Sequence, residues 1–146
     1  MGKIVIQFVA GALAAVTFGY IFRVPAKQRL RCGIVGGLGW LIFLATRDNW
    51  GEIAGMFVAA TCVAMLSELL ARKYHQPVVV YLTPGVIPLV PGGKAYLTML
   101  SFLQNDYTEG VVLFVTTLFL AGAVAAGIIV TSSIFSIYSR AKHTGR

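Results

Sequence analysis

Charged residues are scarce in this sequence, and acidic residues are the scarcest of them. Only 12% of the 146 residues are charged, and five residues in all are Asp or Glu. A soluble domain usually carries about twice that charged fraction. Hydrophobic residues make up 58% of the chain and the mean hydropathy is +0.81. This composition excludes a water-soluble domain and predicts an all-α, polytopic membrane protein.

Cysteine and histidine are nearly absent as well, with two residues of each. Cys32 and Cys62 fall in different apolar segments and at different predicted depths, so we expect two buried thiols rather than a disulfide. His75 and His143 have no Cys, Asp or Glu at a metal-ligand spacing. The chain also lacks a Ser-His-Asp set, a Walker loop and a Gly-x-Gly-x-x-Gly fingerprint. We therefore expect no enzyme, no metal and no other cofactor.

Long polar linkers are missing, which predicts a single integral membrane domain over residues 1–146. The first apolar segment is followed by four basic residues in nine, so we expect it to be retained rather than cleaved as a signal peptide. We predict about five transmembrane helices, of which the fourth is broken. Their expected bounds are about 4–22, 30–46, 53–71, 78–103 and 111–135.

The basic residues are distributed unevenly between the predicted loops. With five spans, nine of the twelve Lys and Arg residues fall on one side, two fall on the other, and Lys94 lies within the fourth segment. This bias predicts an inner or plasma membrane protein with its N-terminus outside and its C-terminus in the cytoplasm. If residues 78–103 instead enter and return on one side, the count becomes six against five, so five spans are favoured. The asymmetry also explains the net charge of +7, so we expect lipid rather than nucleic acid as a partner.

The fourth segment contains the most informative stretch, YLTPGVIPLVPGGKAY from Tyr81 to Tyr96. Three prolines in eight residues remove backbone donors, and a regular helix facing lipid does not accommodate them. We predict two half-helices, about 78–84 and 92–103, joined by an unwound crossing of the kind that marks a transporter's substrate site. The candidate substrate-binding residues are Thr83, Pro84, Gly85, Pro88, Pro91, Gly92, Gly93, Lys94 and Tyr96.

Two ionisable side chains lie within the predicted spans. Lys94 opens the second half-helix, where free amide groups and the helix dipole favour an anion. It is placed to hold a substrate carboxylate, or to pair with Glu68 when the site is empty. The alternative is a lysine that simply extends toward the membrane surface. Glu68 lies four residues before Arg72, and a local ion pair is favoured there over a role in coupling.

Small and polar residues suggest how the helices pack. Gly33 and Gly37, like Gly51 and Gly55, have the spacing that permits close helix approach. The threonines within the spans are expected to bond mostly to their own helices rather than to line a polar path. Several of the tryptophans and tyrosines, a group that includes Tyr81, are expected near the membrane interfaces.

The motif from Pro84 to Gly92, followed by Tyr96, resembles the signature of the threonine/serine exporter family. The resemblance is to the shorter, YjjB-like subunit of exporters that are split into two chains, and it extends to the length, the hydrophobic layout and the basic loop after the first segment. It implies a secondary exporter of small carboxylate-bearing metabolites, either threonine and serine or a dicarboxylate such as succinate. It also implies a larger, YjjP-like membrane partner.

We therefore predict a subunit of an export system that works by alternating access around the broken fourth segment. Two other functions stay open at this point. One is a structural or assembly subunit whose partner alone binds the substrate. The other is a channel-like homo-oligomer.

Overall fold

The computed structural model describes residues 2–144, and the side chains of residues 2–137. Tyr138, Arg140, Lys142 and His143 therefore lie outside the described side chains, and Arg146 lies outside the described residues. The described chain is helical apart from short turns and contains no strand. Its elements are α1 (Gly2–Ile21), α2 (Ala26–Trp50), α3 (Glu52–Tyr74), α4 (Val79–Val86), a 3-10 turn (Ile87–Leu89), α5 (Gly92–Leu103) and α6 (Tyr107–Thr144).

Four of these helices, α1, α2, α3 and α6, are long and apolar enough to cross a bilayer. A fifth candidate span consists of Val79–Leu89 and Gly92–Leu103, two helical pieces that meet at an angle of 46°. The prolines account for this bend, because each one lacks the amide that would continue the helical hydrogen bonds. The prediction of an all-α polytopic membrane protein with a broken fourth segment is confirmed.

Glycines on α2 allow α1 to pack unusually close to it. A Cβ atom built on Gly36 would lie 2.5 Å from the Cβ of Ala15, and one built on Gly37 would lie 2.7 Å from the ring of Phe8. Gly33 makes a similar approach to α1. The close contacts therefore include Gly33 and Gly37, the pair on α2 whose spacing predicted a close helix approach.

Gly51 has a different role from the one its spacing suggested. It has a φ of +85°, and a Cβ atom built on it would meet nothing within 4 Å. Its amide donates to the carbonyl oxygen of Arg47 at 3.0 Å, which closes the end of α2. Gly51 thus forms the turn between α2 and α3, where a side chain is disfavoured by the backbone conformation rather than by a neighbouring helix.

The main hydrophobic core lies between α2, α3, the 3-10 turn and α6. Leu89, from the 3-10 turn, is fully buried in it. The core residues are Val35, Phe43, Met56, Ala59, Ala60, Val63, Leu89, Leu120, Ala123 and Val124. The proline-containing segment is therefore part of the core and not a surface loop.

Helix α6 runs parallel to α3 and is much longer than one bilayer crossing. A Cβ atom built on Gly127 would lie 2.8 Å from the carbonyl oxygen of Phe57, which fixes the register of the two helices. With this register, residues 107–119 extend roughly 20 Å past the start of α3. Helix α5 packs along this extension, with the ring of Phe102 against Gly110. The pair forms a hairpin, residues 92–119, that projects beyond the α2–α3 turn.

Substituting Gly36 by Ala tests the close packing of α1 on α2. The new methyl group meets the Cβ of Ala15, which has no rotamer to change, so the helices must separate. Overpacking of this kind costs about 1–3 kcal/mol. We expect a lower melting temperature of the purified chain in detergent. Gly122→Ala is the matched control, because nothing lies within 4 Å of its new methyl group, and it should melt no lower than the wild type. Equal melting of the two variants would contradict the packing.

Candidate functional site

The two halves of the broken segment pack against different helices. Helix α4 and the 3-10 turn lie among α1, α2 and α3, whereas α5 leaves this bundle and packs on α6. Pro84 and Gly85 are buried inside the bundle. A Cβ atom built on Gly85 would lie 2.7 Å from Cγ1 of Val35, so α4 needs a glycine there to approach α2. The break thus lies at the boundary between two packed units.

The first proline leaves a carbonyl oxygen that a side chain on α2 satisfies. Pro84 has no amide hydrogen to donate to the carbonyl of Val80, its normal helical partner. The thiol of Cys32 donates to that oxygen instead, with an Sγ–O distance of 3.2 Å. An unsatisfied carbonyl within a membrane costs several kcal/mol, so this bond helps to explain how a proline is tolerated here. Cys32 is buried and free.

A second polar contact fixes α4 to α2 closer to the basic end of the bundle. The hydroxyl of Tyr81 donates to Oε1 of Gln28 at 2.6 Å, and Tyr81 is completely buried. The same Gln28 oxygen accepts a bond from the guanidinium of Arg31. Tyr81 is therefore a buried anchor of α4, packed inside the bundle rather than exposed at its surface. Its phenol is buried because a polar partner on α2 meets it there.

The helix is interrupted at Val90 and Pro91 and begins again at Gly92. The amide of Gly92 donates to the carbonyl of Val90 at 2.7 Å, and the amide of Ala95 donates to the carbonyl of Pro91 at 3.0 Å. Between them, the amides of Gly93 and Lys94 make no backbone hydrogen bond within residues 2–144. Nothing lies within 4 Å of a Cβ atom built on Gly92 or Gly93, so this helix end is open to a ligand.

Lys94 forms an ion pair with a residue from another helix. Its Nζ lies 2.6 Å from Oε2 of Glu52, and the two side chains are 30% and 39% exposed. Glu52 lies in the first turn of α3, where a carboxylate is stabilised by the helix dipole. Lys94 lies in the first turn of α5, where a cation is disfavoured. The carboxylate of Glu52 therefore offsets the concentrated positive charge of the ammonium and the free amides.

Lys94 does not pair with Glu68, the partner that the sequence suggested. Glu68 lies 16 residues further along α3 than Glu52, which corresponds to about 24 Å of helix. There its carboxylate lies 3.8 Å from Nε of Arg72, near the opposite end of the bundle. The sequence offered no signal for Glu52, because it falls in a short polar connection 42 residues before Lys94.

The structure does not bring all nine candidate residues together. Pro84 and Gly85 line the interior of the bundle, and Pro88 lines a small groove next to Gln7 and Trp40. Thr83 faces the other side, in a groove beside the α1–α2 turn, and the side chain of Tyr96 is 66% exposed. The residues that share one open location are Gly92, Gly93 and Lys94, which Pro91 precedes.

Four of the threonines within the predicted spans bond back to their own helices in the same way. Their hydroxyl groups donate to the carbonyl four residues earlier, at 2.7–2.8 Å. They are Thr61, Thr98, Thr116 and Thr117. These side chains therefore do not form a polar path. Within the described residues, no three His, Cys, Asp or Glu side chains lie close enough to hold a metal ion.

A wide groove, of about 830 Å³, lies between the start of α3 and the middle of α6. Apolar side chains such as Phe57 and Phe119 form most of its lining, and Glu52 is its one ionisable lining residue. None of the nine candidate residues lines it. Glu52 therefore lies between two environments, the ammonium of Lys94 on one side and this open groove on the other.

Comparison with known proteins gives a family match and several curated relatives, among them the following two. Residues 7–134 match the family described as "Threonine/Serine exporter, ThrE". An uncharacterised protein of Haemophilus influenzae is 26% identical over 144 residues, which cover 92% of this chain and 48% of the relative. A probable threonine/serine exporter of Mycobacterium tuberculosis is 24% identical over 108 residues, which cover 73% of this chain and 20% of the relative. The chain thus spans about half or less of these relatives, and no solved structure matches it.

Variants of Cys32 test whether its thiol is the hydrogen-bond partner of the Val80 carbonyl. Cys32→Ala removes the donor to the carbonyl of Val80, and a buried acceptor without a partner costs about 1–3 kcal/mol. Cys32→Ser keeps a donor. In thermal melting of the purified chain, we expect the alanine variant to melt at a lower temperature than the serine variant. Cys62→Ala, at the half-buried second cysteine, is the control and should have a smaller effect. Equal melting of the two Cys32 variants would show that the thiol does not satisfy this carbonyl.

Proposed function

The chain belongs to the threonine/serine exporter family, and from this premise we propose that it is a membrane subunit of a secondary transporter. Its substrates are small carboxylate-bearing metabolites, either threonine and serine or a dicarboxylate such as succinate. It acts together with a larger, YjjP-like membrane subunit, and it is not an enzyme. The substrate carboxylate binds at the start of α5.

One observation carries this proposal, namely that a carboxylate already lies at the start of α5. Glu52 reaches from another helix to place its oxygen 2.6 Å from the ammonium of Lys94. Beside it are the free amides of Gly93 and Lys94 and the open space around Gly92 and Gly93. An ammonium, unpaired helix amides and room for a ligand are the features that recognise a small carboxylate.

The packing of the broken segment supports alternating access. Helix α4 belongs to the bundle of α1, α2 and α3, whereas α5 belongs with α6. Only Val90 and Pro91 separate the 3-10 turn from α5, and no backbone hydrogen bond joins residues 87–89 directly to residues 92–103. A change of angle at this junction moves α5 and Lys94 relative to the bundle. Broken helices have this role in many secondary transporters.

The exposed surface of the projecting hairpin supports a membrane partner. Tyr96 and Leu103 on α5 are 66% and 73% exposed, and Val112 on α6 is 62% exposed. Apolar surface of this extent marks contact with lipid or with another protein. Because the hairpin extends beyond the ends of the other helices, we assign part of its surface to the larger subunit. The same surface favours the second candidate function, an assembly subunit whose partner alone binds the substrate.

The ends of the bundle differ in charge, which supports the proposed orientation. The turns from α1 to α2 and from α3 to α4 lie at one end and carry Arg23, Lys27, Arg29, Arg31, Arg72 and Lys73. The opposite end carries Lys3, Arg47 and, paired with Glu52 at the start of α5, Lys94. We propose that the basic end faces the cytoplasm of an inner or plasma membrane, with the N-terminus outside.

Metabolite efflux from cells that lack this chain tests the proposal. Wild type, Lys94→Met and Pro88→Ala are restored with and without the larger subunit, and threonine, serine and succinate are followed together. Loss of a charge-assisted partner costs about 1.5–3 kcal/mol, so Lys94→Met should lower export about tenfold or more. Pro88→Ala restores a backbone donor next to the junction, and we expect it to stiffen the segment and slow export. Lys73→Met, at the basic end, is the charge-matched control and should export normally.

The level of each variant in the membrane and its co-purification with the larger subunit separate the two candidate functions. Normal assembly with lost export supports a substrate site at Lys94. Lost assembly supports a scaffold. Export that is unchanged in Lys94→Met, at normal membrane levels, would contradict the proposed site.

A further inference from the structure

We propose that Glu52 is an internal competitor of the substrate, a carboxylate that occupies the anion site of Lys94 when the transporter is empty. This inference rests on the proposed function and adds to it the residue that the substrate must displace. Glu52 approaches to 2.6 Å, the distance of a strong charge-assisted bond. The substrate carboxylate and the Glu52 carboxylate therefore require the same ammonium and cannot both hold it.

The surroundings of Glu52 leave Lys94 as its one close cation among the described side chains. The end of α2 contributes Arg47 and Asp48, which pair with each other at 3.1 Å. Helix α6 contributes no ionisable residue to the groove that Glu52 lines. Helix α5 contributes Lys94 alone. Lys94 thus determines where this carboxylate lies.

A displaced Glu52 has a place to go without any movement of α3. Its side chain is 39% exposed, and it lines the open groove of about 830 Å³ between α3 and α6. Rotation of the side chain away from Lys94, at the mouth of that groove, frees the ammonium. Since α3 begins at Glu52, the carboxylate keeps its favourable position at the helix N-terminus in either orientation.

The exchange keeps the ammonium of Lys94 paired. One carboxylate leaves Lys94 as another arrives, so the ammonium has a counter-ion in the empty and in the loaded state. Substrate binding then gains only the difference between two similar ion pairs. A transporter needs this weakness, because a site that binds its substrate too tightly does not release it.

Neutralising Glu52 should therefore strengthen substrate binding. The full chain in lipid nanodiscs, with and without the larger subunit, is titrated with L-threonine and with succinate by calorimetry. Partly exposed ion pairs are modest in strength, so we expect Glu52→Gln to bind the substrate about 3- to 10-fold more tightly and to release it more slowly. Asp48→Asn removes a neighbouring acidic charge that does not contact Lys94 and should bind like the wild type. Lys94→Met should not bind at all.

The results distinguish failure of the competitor role of Glu52 from failure of the proposed function. If Lys94→Met abolishes binding while Glu52→Gln binds no more tightly than the wild type, the competitor role is overturned and the substrate site stands. If Lys94→Met binds normally, or the wild-type complex binds neither substrate, the proposed function fails and this inference fails with it.

A conservative variant covers the case in which Glu52→Gln does not fold. Glu52→Asp keeps the charge on α3 but shortens the side chain by one methylene, so the carboxylate reaches Lys94 less well. We expect an affinity between those of wild type and Glu52→Gln, with melting close to that of the wild type. An affinity for both substrates no tighter than that of the wild type would overturn the competitor role.

Discussion

The structure depends on one constraint inside the bilayer. Where a proline occupies the position that would normally donate an amide hydrogen, the carbonyl group four residues earlier needs another partner. Hydrocarbon offers no water, so each carbonyl that loses its helical partner needs another one from the protein. Pro84 leaves the carbonyl of Val80 to the thiol of Cys32, and Pro91 leaves the carbonyl of Ile87 to the amide of Val90. The thiol of Cys32 is available only inside the bundle. The part of the segment around Pro84 is therefore buried next to α2.

Burial of the proline segment in turn requires room, and the glycines of α2 supply it. Gly36 faces both Ala15 of α1 and Pro88 of the 3-10 turn, and Gly39 faces Val63 of α3. The small residues bring three helices close enough to enclose Leu89. Past this point the chain leaves the core, and Lys94 begins a helix with its positive charge at the unfavourable end. The proposed site depends on this helix start, where the fold concentrates positive charge and places the carboxylate of Glu52 beside it.

Much of the fold follows from local features that a sequence displays directly. Long apolar runs predict the helices, and the prolines at 84, 88 and 91 predict where the fourth segment breaks. The features that the sequence did not reveal depend on residues far apart in the chain. Glu52 belongs to the Lys94 site only because α3 begins at the level where α5 begins. Tyr81 is buried because Gln28 meets its hydroxyl, and no pattern around Tyr81 indicates that partner.

Hydrogen exchange at the start of α5 tests the central claim most directly, since the amides of Gly93 and Lys94 have no backbone partner within residues 2–144. Exchange at these two amides is measured with residue resolution in lipid nanodiscs, with and without saturating L-threonine or succinate. We expect one of these ligands to slow exchange at both amides in the wild type and to have no effect on them in Lys94→Met. Unchanged exchange at both amides, under conditions where the ligand is bound and slows exchange elsewhere in the chain, would contradict a carboxylate site at this helix start.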